Sequence, residues 1–217
     1  MWEEDHFKLF ISHITIQGAV AHELKQALSR YHISCFVAHD DIEPTRHWQD
    51  EIEKALRSMD ALAALLTPGF HESKWTDQEV GYAMGSGRLI LPIRHGVDPH
   101  GFIGKYQGYT IREGKTYVDI AADIVSILSR HPVTSRRMAG ALVCRFEASG
   151  SFASAATTMG LLEECPVIPE ELLVRIEAAA ENNGQVGSSF GVPARINSLT
   201  AKHREIGEAE QDVDPNA

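Results

Sequence analysis

Residues 61–67 have the sequence Ala61-Leu62-Ala63-Ala64-Leu65-Leu66-Thr67, a continuous apolar run that stops at Pro68-Gly69. Such a run between turn-forming residues is typical of a strand that is covered on both faces of a parallel sheet. Similar short runs occur at residues 7–12, 33–38, 89–93 and 109–111, with segments of helical period between most of them. Strands that alternate with helices predict a parallel sheet flanked by helices, so we expect an α/β fold of the flavodoxin-like class.

The composition changes after Pro132 and divides the chain. Residues 1–133 carry the alternating pattern, whereas residues 134–206 are predicted to form a small all-α C-terminal region. Within that region, residues 135–149 fit neither pattern clearly. The region is too short to bury a large core alone, so we expect it to pack on another surface and to contribute no catalytic group. Residues 207–217 are acidic and poor in apolar side chains, which predicts a disordered tail.

Charge and composition exclude several classes of partner. The 217-residue chain has a net charge of −10, so it lacks the cationic surface that nucleic acid binding requires. No apolar run approaches the roughly 20 residues that cross a bilayer, and the first residues do not resemble a secretory signal. The three cysteines are widely spaced and set in apolar sequence. We expect a cytoplasmic protein that binds neither nucleic acid nor membranes.

Ligands of flavodoxin-like sheets bind beyond the carboxyl ends of the strands. This rule would bring Ser12 and His13 together with the loops at residues 39–46 and 68–75. Adjacent strand residues point to opposite faces, so Ser12 and His13 are either a polar strand end or separate contacts to a ligand. Pro92, inside the fourth apolar run, indicates that this strand lies near a sheet edge.

Four features, in this order, resemble the TIR (Toll/interleukin-1 receptor) family over residues 6–130. They are Phe10-Ile11-Ser12-His13 in the first strand, Asp40-Asp41-Ile42-Glu43-Pro44 after the second, the helix at residues 48–56, and residues 65–68 followed by Ser73-Lys74-Trp75-Thr76-Asp77-Gln78-Glu79. The aromatic pair of receptor-type members, near the last helix, is not evident. The resemblance is therefore to prokaryotic TIR proteins that cleave NAD+.

This resemblance implies that Glu51 is the catalytic carboxylate, with Asp50 as the alternative in the same helix. Cleavage of NAD+ breaks the bond between ribose and nicotinamide through an oxocarbenium-like transition state. A fixed carboxylate stabilises the positive charge that develops there. Trp75 and Glu79 lie one helical turn apart, and we interpret them as mainly structural.

The resemblance also implies substrate contacts from Ser12, His13, Asp41, Ile42 and Trp48. For Trp48, core packing beside Ile52 competes with stacking on a base. NAD+ is expected as a substrate and no cofactor is expected. Although the sequence has 11 histidines, it contains no H-E-x-x-H or C-x-x-C pattern, so we expect no metal.

The predicted function is an NAD+ glycohydrolase or ADP-ribosyl cyclase that releases nicotinamide and yields ADP-ribose or a cyclic ADP-ribose-type signal. The resemblance implies a role in prokaryotic antiphage signalling and self-association through the loop at residues 40–46. The alternative is a non-catalytic interaction module that recruits other TIR proteins. Hydrolysis and cyclisation both remain open at this point.

Overall fold

A computed structural model describes residues 1–37 and 48–211, with side chains described up to Gly207. The chain forms two compact units, Met1–Ile127 and Leu128–Ala217. The first contains a five-stranded parallel sheet in the order β2-β1-β3-β4-β5. Its strands are β1 (Phe7–Ser12), β2 (Ile33–Phe36), β3 (Ala61–Leu66), β4 (Leu89–Arg94) and β5 (Tyr109–Thr110). This order is that of flavodoxin-like sheets, so the predicted fold class is confirmed.

Helices of the first unit cover the sheet because its strands are apolar on both faces. They are α1 (Gly18–Ser29), α2 (Trp48–Ser58), α3 (Lys74–Gly85) and α4 (Tyr117–Arg130). Short 3-10 turns lie at Thr15–Gln17, Phe70–Glu72 and Gly101–Ile103. On one face, Phe10 and Leu62 pack with Ile52 of α2 and Ala83 of α3 in a single buried cluster. This packing places α2 and α3 side by side.

The position of Pro92 agrees with the prediction of a strand near a sheet edge, because β4 lies next to the edge strand β5. β4 lies between β3 and β5, and Pro92 is in register with Ala64 of β3. The sheet accepts the proline because β5 pairs only with Ile93 and Arg94, beyond it. Close approach of the chain before β5 also depends on Gly108, where a Cβ would lie 2.8 Å from the carbonyl oxygen of Pro92.

The second unit contains only helices among the residues that the structure describes. After the end of α4 these are α5 (Ser135–Glu147), α6 (Phe152–Glu163), α7 (Glu170–Asn182), α8 (Gly184–Gly187) and α9 (Val192–Gln211). Residues 135–149, which fitted neither pattern, are mostly helical because Met138, Leu142 and Phe146 repeat every four residues and are fully buried. Arg175 of α7 donates to both carboxylate oxygens of Glu147, at 2.8 and 2.6 Å, and so joins α7 to α5.

Two predicted boundaries can be compared with the structure. The division between the two units falls between Ile127 and Leu128, within α4, whereas the change in composition predicted a boundary after residue 133. The tail predicted as disordered from residue 207 is too long, since α9 extends to Gln211. The residue types at positions 208–211, glutamate, alanine and glutamine, have high helix propensity. Residues 212–217 lie outside the described chain. None of the described helices is both long and apolar enough to span a membrane.

Substitution of Gly187 tests how closely the helices of the second unit pack. A Cβ at this position would overlap the carbonyl oxygen of Ala180, which belongs to α7. We expect Gly187→Ala to lower the free energy of unfolding by about 1–3 kcal/mol, as overpacking does in other cores. The control is Gly140→Ala in α5, where a Cβ meets nothing within 4 Å. Urea unfolding followed by far-UV circular dichroism measures both; equal stability of the two variants would contradict the close approach of α8 to α7.

Candidate functional site

A cavity of about 790 Å³ lies at the carboxyl ends of β1 and β3. In a sheet of this strand order, the connections after β1 and β3 lead to opposite sides, and the gap between them is the usual ligand site. Its described lining comes from the segment after β1, the start of α2, the segment after β3 and the first turns of α3. The lining residues are Ile11, His13, Ile14, Thr15, Ile16, Trp48, Ile52, Gly69, Glu72, Ser73, Trp75 and Glu79.

Glu79 lies on helix α3, whose first turn is held by side-chain hydrogen bonds. Ser73 is the N-cap residue, and its side chain accepts a hydrogen bond from the backbone N–H of Thr76 at 3.4 Å. The hydroxyl of Thr76, which is buried, donates to the carbonyl oxygen of Phe70 at 2.6 Å. Thr76, Glu79 and Ala83 form the buried stripe of the helix, so Glu79 points inward one turn after Thr76.

Glu79 is an acid held in a nearly water-free environment. Only 5% of its surface is exposed, and the Oγ of Ser12 donates a 2.6 Å hydrogen bond to its Oε2. Burial raises the pKa of Glu79 from its ordinary 4.5 to about 7, and the hydrogen bond from Ser12 opposes this rise. The side chain can therefore gain or lose a proton near neutral pH, a property that catalytic carboxyl groups share.

An aromatic pair forms another part of the wall. The rings of Trp48, on α2, and Trp75, on α3, meet edge to face with centroids 4.5 Å apart. The exposed fraction is 44% for Trp48 and 40% for Trp75, which is high for indoles that pack together. An apolar surface of this kind beside a few polar groups suits a ligand with a planar ring.

The predicted substrate contacts divide into three groups. His13 and Trp48 line the cavity. Ser12 is absent from the described lining, and its hydroxyl bonds to Glu79. Asp41 and Ile42, together with the rest of residues 38–47, lie outside the described residues.

Glu51 occupies a different environment from Glu79. Its side chain is buried on α2, as the helix phase predicts, and its Oε1 is 3.0 Å from the Nζ of Lys54. It is not among the described residues that line the cavity, although its neighbour Ile52 is. Asp50, the alternative, is exposed. Among the described residues, no group of three or more histidine, cysteine or acidic side chains is placed to hold a metal ion.

Interpretation of the sequence did not place Glu79 at the cavity. The spacing from Trp75 to Glu79 was visible, and we interpreted both residues as structural. The position of Glu79 in the helical period could have indicated its burial. Thr76 lies three residues before Glu79 and Ala83 four residues after it, so all three share the core face of the helix. An acid at such a position is rarely buried without a partner or a function.

Comparison with family models identifies one family. A family model described as TIR domain matches residues 9–138. A solved structure, the TIR domain of the Toll-related receptor TRR-2 from Hydra magnipapillata, is 19% identical, with 48% of this chain and 83% of that chain covered and a TM-score of 0.42. No curated protein matches the chain.

Burial of an acid makes the stability of the first unit depend on pH. Because the pKa of Glu79 is raised in the folded state, its contribution is fully present below pH 4.5 and is lost as pH rises through about 7. We compare the change in the free energy of unfolding that Glu79→Gln causes at pH 8 with the change that it causes at pH 4. We expect the change at pH 8 to be more stabilising by about 3 kcal/mol, which is the free energy that corresponds to the pKa shift of Glu79.

Tryptophan fluorescence can measure this effect, because all three tryptophans of the chain lie in the first unit. Glu72→Gln is the matched control, since Glu72 lines the same cavity but is exposed. We expect the stability difference between Glu79→Gln and the parent to change between pH 4 and pH 8. An equal difference at both pH values would contradict the raised pKa of Glu79.

Proposed function

The chain belongs to the TIR domain family, and from this premise we propose that its first unit cleaves NAD+ with Glu79 as the catalytic carboxylate. The observation that carries the proposal is the buried carboxyl group of Glu79 in the wall of the cavity at the carboxyl ends of β1 and β3. The cavity volume of about 790 Å³ is in the range of small-molecule sites.

The chemistry asks little of the protein besides a fixed negative charge. The bond between ribose C1′ and the nicotinamide nitrogen breaks, and both electrons leave with nicotinamide, which becomes neutral. Positive charge then develops over C1′ and the ring oxygen of the ribose. The ionised carboxylate of Glu79, in surroundings of low dielectric constant, would stabilise this charge more strongly than a solvated acid could.

Completion of the reaction needs a nucleophile at C1′. Attack by water, with loss of its proton, gives ADP-ribose, and attack by a nitrogen of the adenine gives a cyclic product. The proposal covers both outcomes, and such products would act in prokaryotic antiphage signalling. In this scheme the exposed indole surfaces of Trp48 and Trp75 hold a planar base, and His13 supplies a polar contact at the end of β1.

Glu79 suits the catalytic role better than Glu51 for two reasons. First, Glu79 belongs to the described lining of the cavity and Glu51 does not, although both are buried. Second, a salt bridge with Lys54 offsets the charge of Glu51, whereas burial raises the pKa of Glu79 and the hydrogen bond from Ser12 only partly opposes this rise. Among the described residues Glu79 forms no ion pair, so its negative charge is available to a cationic transition state.

We expect Glu79→Gln to lower the rate of nicotinamide release from NAD+ by about 100-fold or more, as loss of a main electrostatic group does in other enzymes. Glu51→Gln and Asp50→Asn are the matched controls on α2, and we expect each to retain most of the activity. Release of nicotinamide by the purified full chain, at several protein concentrations, is the measurement.

The opposite result has a clear meaning. If Glu51→Gln abolishes nicotinamide release while Glu79→Gln preserves it, the assignment to Glu79 is wrong and the carboxylate of α2 is catalytic. If the parent protein releases no nicotinamide at any concentration, the chain is instead a non-catalytic module that recruits other TIR domains.

Self-association through residues 40–46 belongs to the same proposal. This loop lies outside the described residues, and it precedes Trp48, which lines the cavity. In the proposal, a second copy of the chain contacts residues 40–46. We expect Ile42→Ala to weaken NAD+ cleavage at low protein concentration, with recovery at high concentration. Full activity of the variant in a demonstrably monomeric state would rule out this role.

A further inference from the structure

The hydrogen bond between Ser12 and Glu79 links two elements that are far apart in sequence. Ser12 is the last residue of β1, and its exposed fraction is 1%; Glu79 lies on α3 with 5% exposed. Their oxygens are 2.6 Å apart, a typical distance for a hydroxyl that donates to a carboxylate. Two nearly dry side chains thus meet at the wall of the cavity.

The donor is presented by a rigid part of the fold. Ser12 is in register with Ala64 of β3, in the centre of the sheet, so its backbone has little freedom. The acceptor is attached to a helix whose first turn is capped by Ser73 and braced by Thr76. A side chain that is held from a strand fixes a glutamate rotamer far better than one on a loop would.

We propose that Ser12 is a positioning residue for Glu79: its hydroxyl holds the carboxylate in one orientation at the cavity wall and does not itself contact the substrate. The inference rests on the proposed function for its meaning in catalysis. It replaces the sequence-based prediction of Ser12 as a substrate contact, because the described lining of the cavity does not include Ser12.

The electrostatic consequence follows from the surroundings of Glu79. Burial raises its pKa and the hydroxyl of Ser12 lowers it, and these are the two causes of the net shift. Other charged or titratable side chains on the cavity wall or on the elements packed against α3 include His13, Glu72, His71, Glu51 and Arg94. Without the hydroxyl, burial is unopposed, and the carboxyl group would hold its proton to a higher pH.

The test is Ser12→Ala in the full chain. For the parent we expect kcat/KM for NAD+ cleavage to rise with pH through about 7, because the free enzyme must lose the proton of Glu79. In Ser12→Ala we expect this rise to move upward by about 1 pH unit, and kcat to fall more than KM changes. Ser12→Thr retains a donor and should keep the parent profile if it folds.

Ser34→Ala is the matched control. Ser34 lies on β2, is also nearly fully buried, and its Oγ accepts a hydrogen bond from the backbone N–H of Glu3 at 3.1 Å. Its loss removes a buried hydroxyl from the same sheet without touching Glu79. If Ser12→Ala raises KM with an unchanged pH profile, Ser12 is a substrate contact and the proposal is wrong. An equal shift of the pH profile in Ser12→Ala and Ser34→Ala would also overturn the proposal.

A direct titration separates this inference from the proposed function. The side-chain carboxyl resonance of Glu79, identified by its loss in Glu79→Gln, can be followed by carbon NMR as pH changes. An upward shift of its midpoint in Ser12→Ala supports the contact even if the parent protein fails to cleave NAD+. An unchanged midpoint overturns the inference even if NAD+ cleavage is confirmed.

Discussion

β1 pairs with β2 on one side and with β3 on the other, and this position determines where the described walls of the cavity lie. The chain runs outward from β1 to β2 and then crosses back over β1 to reach β3. Since crossovers between parallel strands are right-handed, this reversal puts α1 on one face of the sheet and α2 on the other. The next crossover continues in the same direction, so α3 joins α2, and their first turns frame the gap beyond β1 and β3.

How much the sequence predicts depends on which force decides each feature. The strands were predictable because burial on both faces requires an unbroken apolar run, and β1 and β3 lie almost where such runs occur. The indole of Trp48 was harder to predict. Its spacing with Ile52 fits core packing, but it is the first residue of α2 and 44% of it is exposed.

Glu79 illustrates the opposite difficulty. Helical phase places it on the core face of α3, and an acid on a core face conflicts with the rule that charges stay in water. The conflict is resolved only in three dimensions, where Ser12 donates to the carboxylate and a cavity opens beside it. Local sequence cannot show that partner, which lies 67 residues away. Residues that break a local rule are often the functional ones.

The edge-to-face contact of Trp48 and Trp75 also has an optical consequence. Two indoles with centroids 4.5 Å apart couple their electronic transitions, so their absorption and emission depend on the mutual orientation of the rings. Both rings border the cavity, whereas the remaining tryptophan, Trp2, packs near Phe36. A planar ligand that separates or reorients the pair would alter this coupling. The Trp48–Trp75 pair is thus an intrinsic spectroscopic probe in the lining of the cavity.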